Sequence, residues 1–346
     1  MSYHNRRIWI TGIRGFLGHH LSREFFGRGA WIGGNDTGIG GNNALTHMHS
    51  FVSKDCTDLE QMEELFSGHE PDTVLHTACY PHEGLSVFSP SVITKSVFQG
   101  TVATATAAIK ANVKLFINMS SMSRYGSNQT PFTEDMTPAP NDPYAVAKVA
   151  AEKALNILGD THGMKVVHAV PHNIIGAFQR YNDPFRNVAS IMIHRALAGK
   201  SIIVYGDGSQ VRCFSPVVDV LPTLVALTNQ SHPIPHGEVF NVGPDQGGLT
   251  ILELAATIRE LVASTTGGPP VAIEHMPARP REVHHAVCSS DKIRNWFGFA
   301  PKQSLRDCLI EMIQWMSPLA DGHFDYHLPV EIMNEKTPQT WAKRLI

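Results

Sequence analysis

The sequence has little of what membrane and nucleic-acid-binding proteins need. None of its apolar runs approaches the roughly 18 residues of a membrane-spanning helix, so we expect no membrane association. The 346 residues carry a net charge of -3, which leaves no basic excess for contact with nucleic acid. The first residues lead directly into a strand pattern without the apolar core of a secretion signal. We therefore expect a cytoplasmic protein.

Cysteine is also sparse, and its spacing excludes the common cysteine-based sites. The five cysteines are scattered without a Cys-x-x-Cys pair, which predicts reduced thiols and no structural disulfide. Nineteen histidines are many, but none follows His-Glu-x-x-His or zinc-finger spacing, so no metal site is expected. At 42% hydrophobic and 17% charged residues, the chain has an ordinary globular composition.

The first half of the chain alternates short apolar runs with helical patterns, which predicts a doubly wound parallel sheet. Strands are expected at 7–11, 30–33, 50–52, 73–77, 115–119 and 166–170, and helices at 16–26, 59–66, 92–110 and 144–158. After residue 170, prolines including Pro222 break the chain into shorter pieces, with helices expected at 188–198, 251–263 and 305–316. We therefore predict a Rossmann-like α/β fold. Residues 1–170 form the dinucleotide domain and 171–346 mainly a smaller substrate lobe, with some segments returning to the sheet.

A glycine-rich turn follows the first expected strand, in Thr-Gly-Ile-Arg-Gly-Phe-Leu-Gly at residues 11–18. Such a turn opens a helix whose N-terminus receives a dinucleotide pyrophosphate. Asp36 lies about 20 residues further on, where a carboxylate binds the ribose hydroxyls and repels a 2′-phosphate. This pattern favours NAD over NADP, although Arg14 in the turn is a cation that favours the phosphate. Gly12, Gly15, Phe16, Leu17 and Gly18 are the expected cofactor contacts.

Tyr144 and Lys148 are four residues apart and therefore share one face of a helix. A free phenol, with a pKa of about 10, is a poor base at neutral pH. A fixed cation nearby stabilises the phenolate and makes proton transfer effective. With the glycine turn, this pair predicts proton abstraction from an alcohol coupled to hydride transfer to a nicotinamide.

Taken together, the glycine turn, the Ser-Ser before Tyr125-Gly126 and the Tyr-x-x-x-Lys pair resemble the extended short-chain dehydrogenase/reductase family. The resemblance covers about Arg7 to Trp315 and is greatest to nucleotide-sugar epimerases related to UDP-galactose 4-epimerase. It implies that Ser121 is catalytic with Tyr144 and Lys148. It also implies that Asp55 and Cys56 flank the adenine, and that Ala78 and Cys79 pass beside the cofactor.

The same resemblance narrows the reaction. Related dehydratases carry Asp-Glu where this chain has Met122 and Ser123, related decarboxylases carry a glutamate nearby, and related 3,5-epimerases carry a cysteine in place of Ser123. Oxidation and re-reduction at one carbon remain, which is 4-epimerisation. One departure is Val97, which replaces an asparagine of the family. The alternatives are a nucleotide-sugar reductase or dehydrogenase, a UDP-glucuronate-type epimerase and a non-catalytic dinucleotide sensor.

The resemblance assigns further residues, most of them in the second half of the chain, to the binding of a nucleotide-diphosphate sugar. The expected substrate is a UDP-hexose. Arginine suits a diphosphate because its planar guanidinium donates several hydrogen bonds. Ala286 is expected beside the sugar C2 group, where a small side chain leaves room for N-acetyl. The expected substrate residues are Ser121, Ser123, Asn173, Arg212, Arg279, Glu282 and Ala286.

Two helical patterns rich in alanine predict a homodimer. Small side chains allow close helix approach, and the resemblance implies that these helices pair with a second copy. The alanines are Ala103, Ala105, Ala107 and Ala108 in the first helix, and Ala147, Ala150, Ala151 and Ala154 in the second.

Overall fold

Seven parallel strands form the central sheet of the protein, in the order β3-β2-β1-β4-β5-β6-β11. A computed structural model describes residues 3–39, 41, 43–229, 233–245, 248–279 and 283–346. The sheet strands are β1 (Arg7–Thr11), β2 (Trp31–Asn35), β3 (Ser50–Val52), β4 (Thr73–His76), β5 (Leu115–Met119), β6 (Lys165–Pro171) and β11 (Glu238–Val242). This confirms the predicted Rossmann-like α/β class.

Short strands outside this sheet pair among themselves. They are β7 (Ile174–Ile175), β8 (Ile202–Tyr205), β9 (Val211–Arg212), β10 (Ser215–Pro216), β12 (Leu249–Thr250), β13 (Ile273–Met276) and β14 (His285–Ala286). The helices are α1 (Phe16–Gly27), α2 (Leu59–His69), α3 (Glu83–Ser86), α4 (Pro90–Thr94), α5 (Gly100–Lys110), α6 (Pro143–His162), α7 (Val188–Leu197), α8 (Val217–Leu227), α9 (Ile251–Thr266), α10 (Asp291–Phe297), α11 (Leu305–Met316) and α12 (Gln339–Ala342). In the described part of the chain, no helix has the length and apolarity needed to cross a membrane.

Both faces of the sheet are buried, which explains why its strands read as nearly continuous apolar runs. On β1, Ile8 and Ile10 pack with α1, while Trp9 between them packs with α2 on the opposite face. A separate hydrophobic cluster holds α7, α9 and α11 together above β8. The domain division at residue 170 remains a prediction, but β11 from the second half pairs with β6 and completes the sheet.

The structure differs from the predicted elements at two places. Pro222 lies inside α8 instead of ending a segment. An internal proline costs about 3 kcal/mol, but Val220, Leu224 and Leu227 of this helix are fully or almost fully buried, and this packing offsets the cost. The expected helix 92–110 is helical throughout, but a π-helical segment at Lys95–Gln99 lies between α4 and α5.

The alanine-rich faces pack mainly within the chain. Ala105 and Ala108 of α5 are fully buried in the cluster that covers the sheet. Ala147 and Ala151 of α6 are also buried, whereas Ala150 and Ala154 are half-buried. The exposed apolar residues of these helices are instead Val146 and Ile157, at 52% and 66% exposure. The homodimer remains a prediction, and Val146 and Ile157 are the most exposed apolar side chains of these two helices.

Candidate active site

A cavity of about 590 Å³ lies at the carboxyl ends of the sheet strands. Strand order reverses between β1 and β4, which is where open parallel sheets bind ligands. The cavity extends from the glycine turn to residues of the second half, including Arg212 and Arg279. All the residues predicted to contact the cofactor line it: Gly12, Gly15, Phe16, Leu17, Gly18, Asp36, Asp55, Cys56, Ala78, Cys79, Tyr144 and Lys148.

The glycine turn is too tight for other residues at two positions. Gly12 has φ +68°, and a Cβ there would lie 2.9 Å from Ala78 Cα. A Cβ on Gly18 would lie 2.3 Å from the Gly12 carbonyl oxygen, so α1 can begin beside the turn only with glycine there. Gly15 caps α1, and the helix N-terminus faces the cavity, which suits a pyrophosphate.

Asp36 is buried at the end of β2 and accepts hydrogen bonds from the turn that it faces. Its Oδ2 accepts from the Arg14 backbone N–H at 3.0 Å, and its Oδ1 from that of Gly38 at 2.6 Å. Burial raises the pKa of this carboxyl, and the backbone hydrogen bonds oppose the rise. The Arg14 guanidinium lies 5.8 Å from the Phe51 ring centroid, and Arg14 does not line the cavity. This arrangement supports the predicted preference for NAD.

The residues predicted to flank the adenine and those predicted to pass beside the rest of the cofactor lie in different surroundings. Asp55 is exposed and bonds the Thr57 backbone N–H, while Cys56 is buried and accepts a hydrogen bond from Asn35 at 3.3 Å. Ala78 follows β4, and its backbone N–H donates to the Thr11 hydroxyl at 3.2 Å. These contacts join the loop after β3 to β2 and the loop after β4 to the end of β1.

Ser121, Tyr144 and Lys148 meet at the other end of the cavity, as predicted. Ser121 follows β5, and its hydroxyl hydrogen-bonds Tyr144, the second residue of α6. Lys148 lies one helical turn further, with Nζ 5.8 Å from the Tyr144 ring centroid. The ammonium donates to the Met119 carbonyl at 2.6 Å and lies 3.5 Å from Cys79 Sγ.

The acidity of Tyr144 differs from the sequence-based expectation. Burial raises the pKa of its phenol well above the usual value, and the neighbouring Cys79 acts in the same direction. The hydrogen bond from Ser121 acts against this rise. The expected lowering by Lys148 therefore does not decide the direction, because desolvation of the phenolate outweighs it.

A buried ion pair holds the Ser121 loop against α6. Arg124 donates to Glu152 of α6 at 2.9 Å, and both side chains are 6% exposed. The Ser120 hydroxyl also donates to Glu152. Together with the bond from Lys148 to Met119, these contacts fix the distance between the reacting groups on β5 and α6.

The predicted substrate residues divide into three groups. Asn173, Arg212 and Arg279 line the large cavity, and the Arg279 guanidinium lies 4.6 Å from the Tyr205 ring centroid. Ser123 does not line it, but its hydroxyl donates to Ser121 at 2.9 Å. Glu282 lies outside the described residues.

Ala286 is not in the wall of the large cavity. It is 4% exposed and packs with Tyr125, Phe132 and Cys288. It faces a separate space of about 40 Å³ that shares Asn173 and Arg212 with the large cavity. Ala286 therefore lies in a space that adjoins the large cavity, and its role beside an N-acetyl group remains a prediction.

The structure adds residues to the cavity that sequence reasoning missed. Arg186 lines it and makes no hydrogen bond or ion pair with other described residues. Glu83 also lines it, and its charge raises the pKa of Tyr144. Trp341 and Ile346 reach the cavity from the C-terminal tail. Their spacing in sequence carries no motif, so only the chain path brings them together.

Val97, which replaces the family asparagine, is fully buried in a hydrophobic cluster with Tyr144 and Ala147. The neighbouring Ser96 hydroxyl accepts a hydrogen bond from the Tyr80 backbone N–H at 3.0 Å. Ser96 therefore stabilises the loop after β4, and it also lines the large cavity.

A proton acceptor beside a dinucleotide cleft is the minimum that reversible oxidation of an alcohol requires, and this cavity has both. The fold and this cavity are therefore those of a dinucleotide-dependent enzyme. The chain belongs to the NAD-dependent epimerase/dehydratase family, whose model matches residues 8–243. This membership confirms the predicted relationship and the predicted cofactor, NAD.

Relatives named for different reactions have similar sequence identity to this chain. A dTDP-glucose 4,6-dehydratase of Streptomyces niveus is 28% identical, with 89% of this chain and 92% of the relative covered. A UDP-glucose 4-epimerase of Mycolicibacterium smegmatis is also 28% identical, with 89% and 98% covered. The solved UDP-glucose 4-epimerase of Thermotoga maritima, in complex with UDP-glucose, has a TM-score of 0.80 at 28% identity, covering 89% of this chain and 98% of that structure. Identity alone does not separate epimerase from dehydratase.

Proposed function

We propose that the protein catalyses NAD-dependent 4-epimerisation of a UDP-hexose. One observation carries the proposal. Ser121, Tyr144 and Lys148 lie together at the cavity, and the two residues that follow Ser121 are Met122 and Ser123. A 4,6-dehydration needs an acid and a base to eliminate water. Residues 122 and 123 offer neither, because a thioether and a hydroxyl that bonds Ser121 cannot do this at neutral pH.

The cofactor fits the residues around the glycine turn, because Gly12, Gly15 and Gly18 line the cavity without side chains at the start of α1. The turn and the α1 N-terminus would hold its pyrophosphate, and Asp36 its adenine ribose. When bound, NAD supplies hydride acceptance at the sugar C4 and hydride return to the opposite face. The resulting 4-keto sugar needs no second cofactor, so turnover leaves NAD unchanged overall.

The residues of the chain perform the proton transfer. Tyr144 takes the proton of the sugar C4 hydroxyl and returns it after re-reduction. Ser121 hydrogen-bonds Tyr144 and, in the proposed complex, the same sugar oxygen. Lys148 is held by the Met119 carbonyl, so its charge is placed one helical turn from the phenol. Arg212 and Arg279 provide guanidinium groups for the diphosphate of the nucleotide.

A second candidate is 4-epimerisation of a UDP-hexuronate, and Arg186 favours it. This half-buried arginine has no hydrogen bond or ion pair with other described residues. Its charge nevertheless lies close enough to Tyr144 to lower the pKa of the phenol. A sugar carboxylate near the reacting carbon would pair with such a cation, whereas a neutral hydroxymethyl group would not.

The test is incubation of purified protein with UDP-glucose, UDP-N-acetylglucosamine and UDP-glucuronate, followed by NMR identification of the products. The proposal expects the C4 epimer without net change in nicotinamide absorbance. A 4-keto-6-deoxy product would instead identify a dehydratase, in which Glu83 is the first acid to replace. Steady consumption of added cofactor would identify a reductase or dehydrogenase. If all three substrates were unchanged, the non-catalytic dinucleotide sensor would be the remaining alternative.

Arg186→Gln separates the two candidate substrates. If the substrate is a uronate, this variant loses turnover of UDP-glucuronate while the fold and NAD binding persist. Arg306→Gln is the control, because Arg306 is exposed on α11 and does not line the cavity. Equal turnover of UDP-glucuronate by both variants would remove the hexuronate candidate.

A further inference from the structure

Three metal-ligating side chains meet at the edge of the active-site cavity, and the proposed reaction uses none of them. They are His82 after β4, Asp183 before α7 and His327 in the C-terminal tail. One ligand atom from each lies within 4.8 Å of the other two. His82 and Asp183 are both 2% exposed as side chains, and His327 is 8% exposed. Buried charged and polar groups of this kind need partners.

The tautomer of His327 leaves a nitrogen lone pair facing this group. Its Nδ1 lies 3.0 Å from the Asp325 carbonyl oxygen, which can only accept, so Nδ1 carries the hydrogen. Nε2 is buried and has no hydrogen-bond partner. It lies 3.8 Å from Asp183 Oδ2, which is too far for a hydrogen bond. A neutral Nε2 and a carboxylate oxygen both present lone pairs, so a cation placed between them would be attracted to both.

Asp183 is positioned to share such a cation. Its Oδ1 accepts a hydrogen bond from the Phe185 backbone N–H at 2.9 Å, which fixes the carboxylate plane. Its Oδ2 lies 2.9 Å from His82 Nε2. Both outer contacts, the Phe185 amide on Asp183 and the Asp325 carbonyl on His327, are the supporting hydrogen bonds that orient ligands in metal sites.

We propose that His82, Asp183 and His327 bind a divalent transition metal ion, with Zn²⁺ best matched to two imidazoles and one carboxylate. Zinc binds these ligands at about 2.0–2.2 Å in tetrahedral geometry, so ligand atoms lie roughly 3.4 Å apart. The three ligand atoms lie within 4.8 Å of one another, so binding would require them to move slightly closer together. His82 also lines the large cavity, so the proposed site adjoins it.

A metal ion bound here would hold part of the active-site wall together. The three ligands come from the loop after β4, the loop before α7 and the C-terminal tail, and one ion would join all three. The tail also contacts these elements through Trp341, whose indole N–H donates to the Pro184 carbonyl at 3.1 Å. Metal binding would therefore hold the tail residues in the cavity wall. The proposed metal site would revise the expectation of no metal site, which rested on sequence spacing alone.

The experiment is metal analysis of the full chain, purified without a polyhistidine tag, after incubation with Zn²⁺ and removal of the excess. The proposal expects one bound zinc per chain and a higher Tm with Zn²⁺ than with chelator. His327→Ala should lose both effects. His323→Ala is the matched control, because His323 is exposed on the same tail, and it should retain both.

Binding of Co²⁺ to the wild-type chain gives a second measurement that does not depend on a variant folding. Visible d–d absorption with the intensity of four-coordinate Co²⁺, displaced by Zn²⁺, would support the site. No stoichiometric metal in the wild-type chain would overturn the proposal, with a protonated His327 paired to Asp183 as the explanation. Equal zinc in the wild-type and His327→Ala chains would also overturn it.

Discussion

At the residue scale, Tyr144 has opposing requirements. It must exchange a proton near neutral pH, yet burial raises the pKa of its phenol. The Ser121 hydrogen bond and the Arg186 charge act against that rise, and Lys148 stands one helical turn away. Burial therefore favours the protonated phenol in the free chain, whereas the proposed reaction needs the phenolate to take the proton of the substrate hydroxyl. The positive charges of Lys148 and Arg186 are placed to stabilise that phenolate.

Removing the hydroxyl of Tyr144 tests this role. Tyr144→Phe should lower turnover roughly 10²–10⁴-fold, which is the usual contribution of a positioned proton-transfer group. The ring still fills its place in the hydrophobic cluster with Val97, so Tm and NAD affinity should be nearly unchanged. Steady-state kinetics, thermal unfolding and NAD titration measure the three effects. Tyr181→Phe is the control because Tyr181 does not line the cavity, and an equal loss in both variants would refute the assignment.

At the element scale, the start of α1 decides whether a dinucleotide can bind. The helix begins so close to the end of β1 that the Gly18 Cα faces the Gly12 carbonyl. The other tie between elements is Glu152 of α6, which is paired with Arg124 and accepts from Ser120. One contact positions the cofactor turn and the other positions the Ser121 loop, and neither touches the reacting atoms.

Two glycines of α1 give a matched test of that close approach. Gly18→Ala places a methyl group 2.3 Å from the Gly12 oxygen, so the turn must shift. Overpacking of this kind costs about 1–3 kcal/mol, and NAD affinity should fall with it. Gly27→Ala, at the other end of the helix, meets nothing within 4 Å and should leave stability equal or slightly raised. Calorimetric titration with NAD and thermal unfolding compare the two. Unchanged NAD affinity in Gly18→Ala would show that the turn does not hold the cofactor.

At the scale of the whole molecule, the C-terminal tail joins regions that are distant in sequence. Trp341 packs with Phe88 and Phe185, and the Tyr326 hydroxyl donates to the Ile346 carbonyl at 2.8 Å. This tail had no recognisable periodicity, but it forms part of the cavity wall. The second feature at this scale is the exposed apolar surface that Val146 and Ile157 form on α6 together with Phe98 near α5.

We predict a homodimer through this surface of α6 and the π-helical segment. Ile157 is 66% exposed, and covering it with a second copy removes apolar area from water. Sedimentation at micromolar concentration should give twice the mass of one chain. Ile157→Glu should give monomers, since it places a charge in the interface. Ile332→Glu alters an exposed isoleucine on the tail and should leave the dimer intact. A monomeric wild-type chain would exclude the homodimer, and a dimeric Ile157→Glu variant would place the interface elsewhere.

The sequence by itself determined the elements whose pattern is local. β1 and β5 begin and end where predicted, because strands buried on both faces are largely apolar. The partly buried edge strand β3 also has its predicted bounds. The glycine turn and the Tyr144–Lys148 pair could be predicted for a related reason, since their function requires residues a fixed number of positions apart. α11 also has its predicted bounds, because its apolar residues recur at helical spacing.

Tertiary structure alone decided which distant residues share the cavity. Arg186, Glu83 and Trp341 enter it through the chain path, and no spacing rule connects them. It also decided the place of Ala286, because a loop alignment gives a position along the chain but not the direction in which a side chain packs. The acidity of Tyr144 belongs to this group as well. Sequence shows the neighbouring cation, whereas the desolvation that outweighs it depends on how completely the folded chain excludes water.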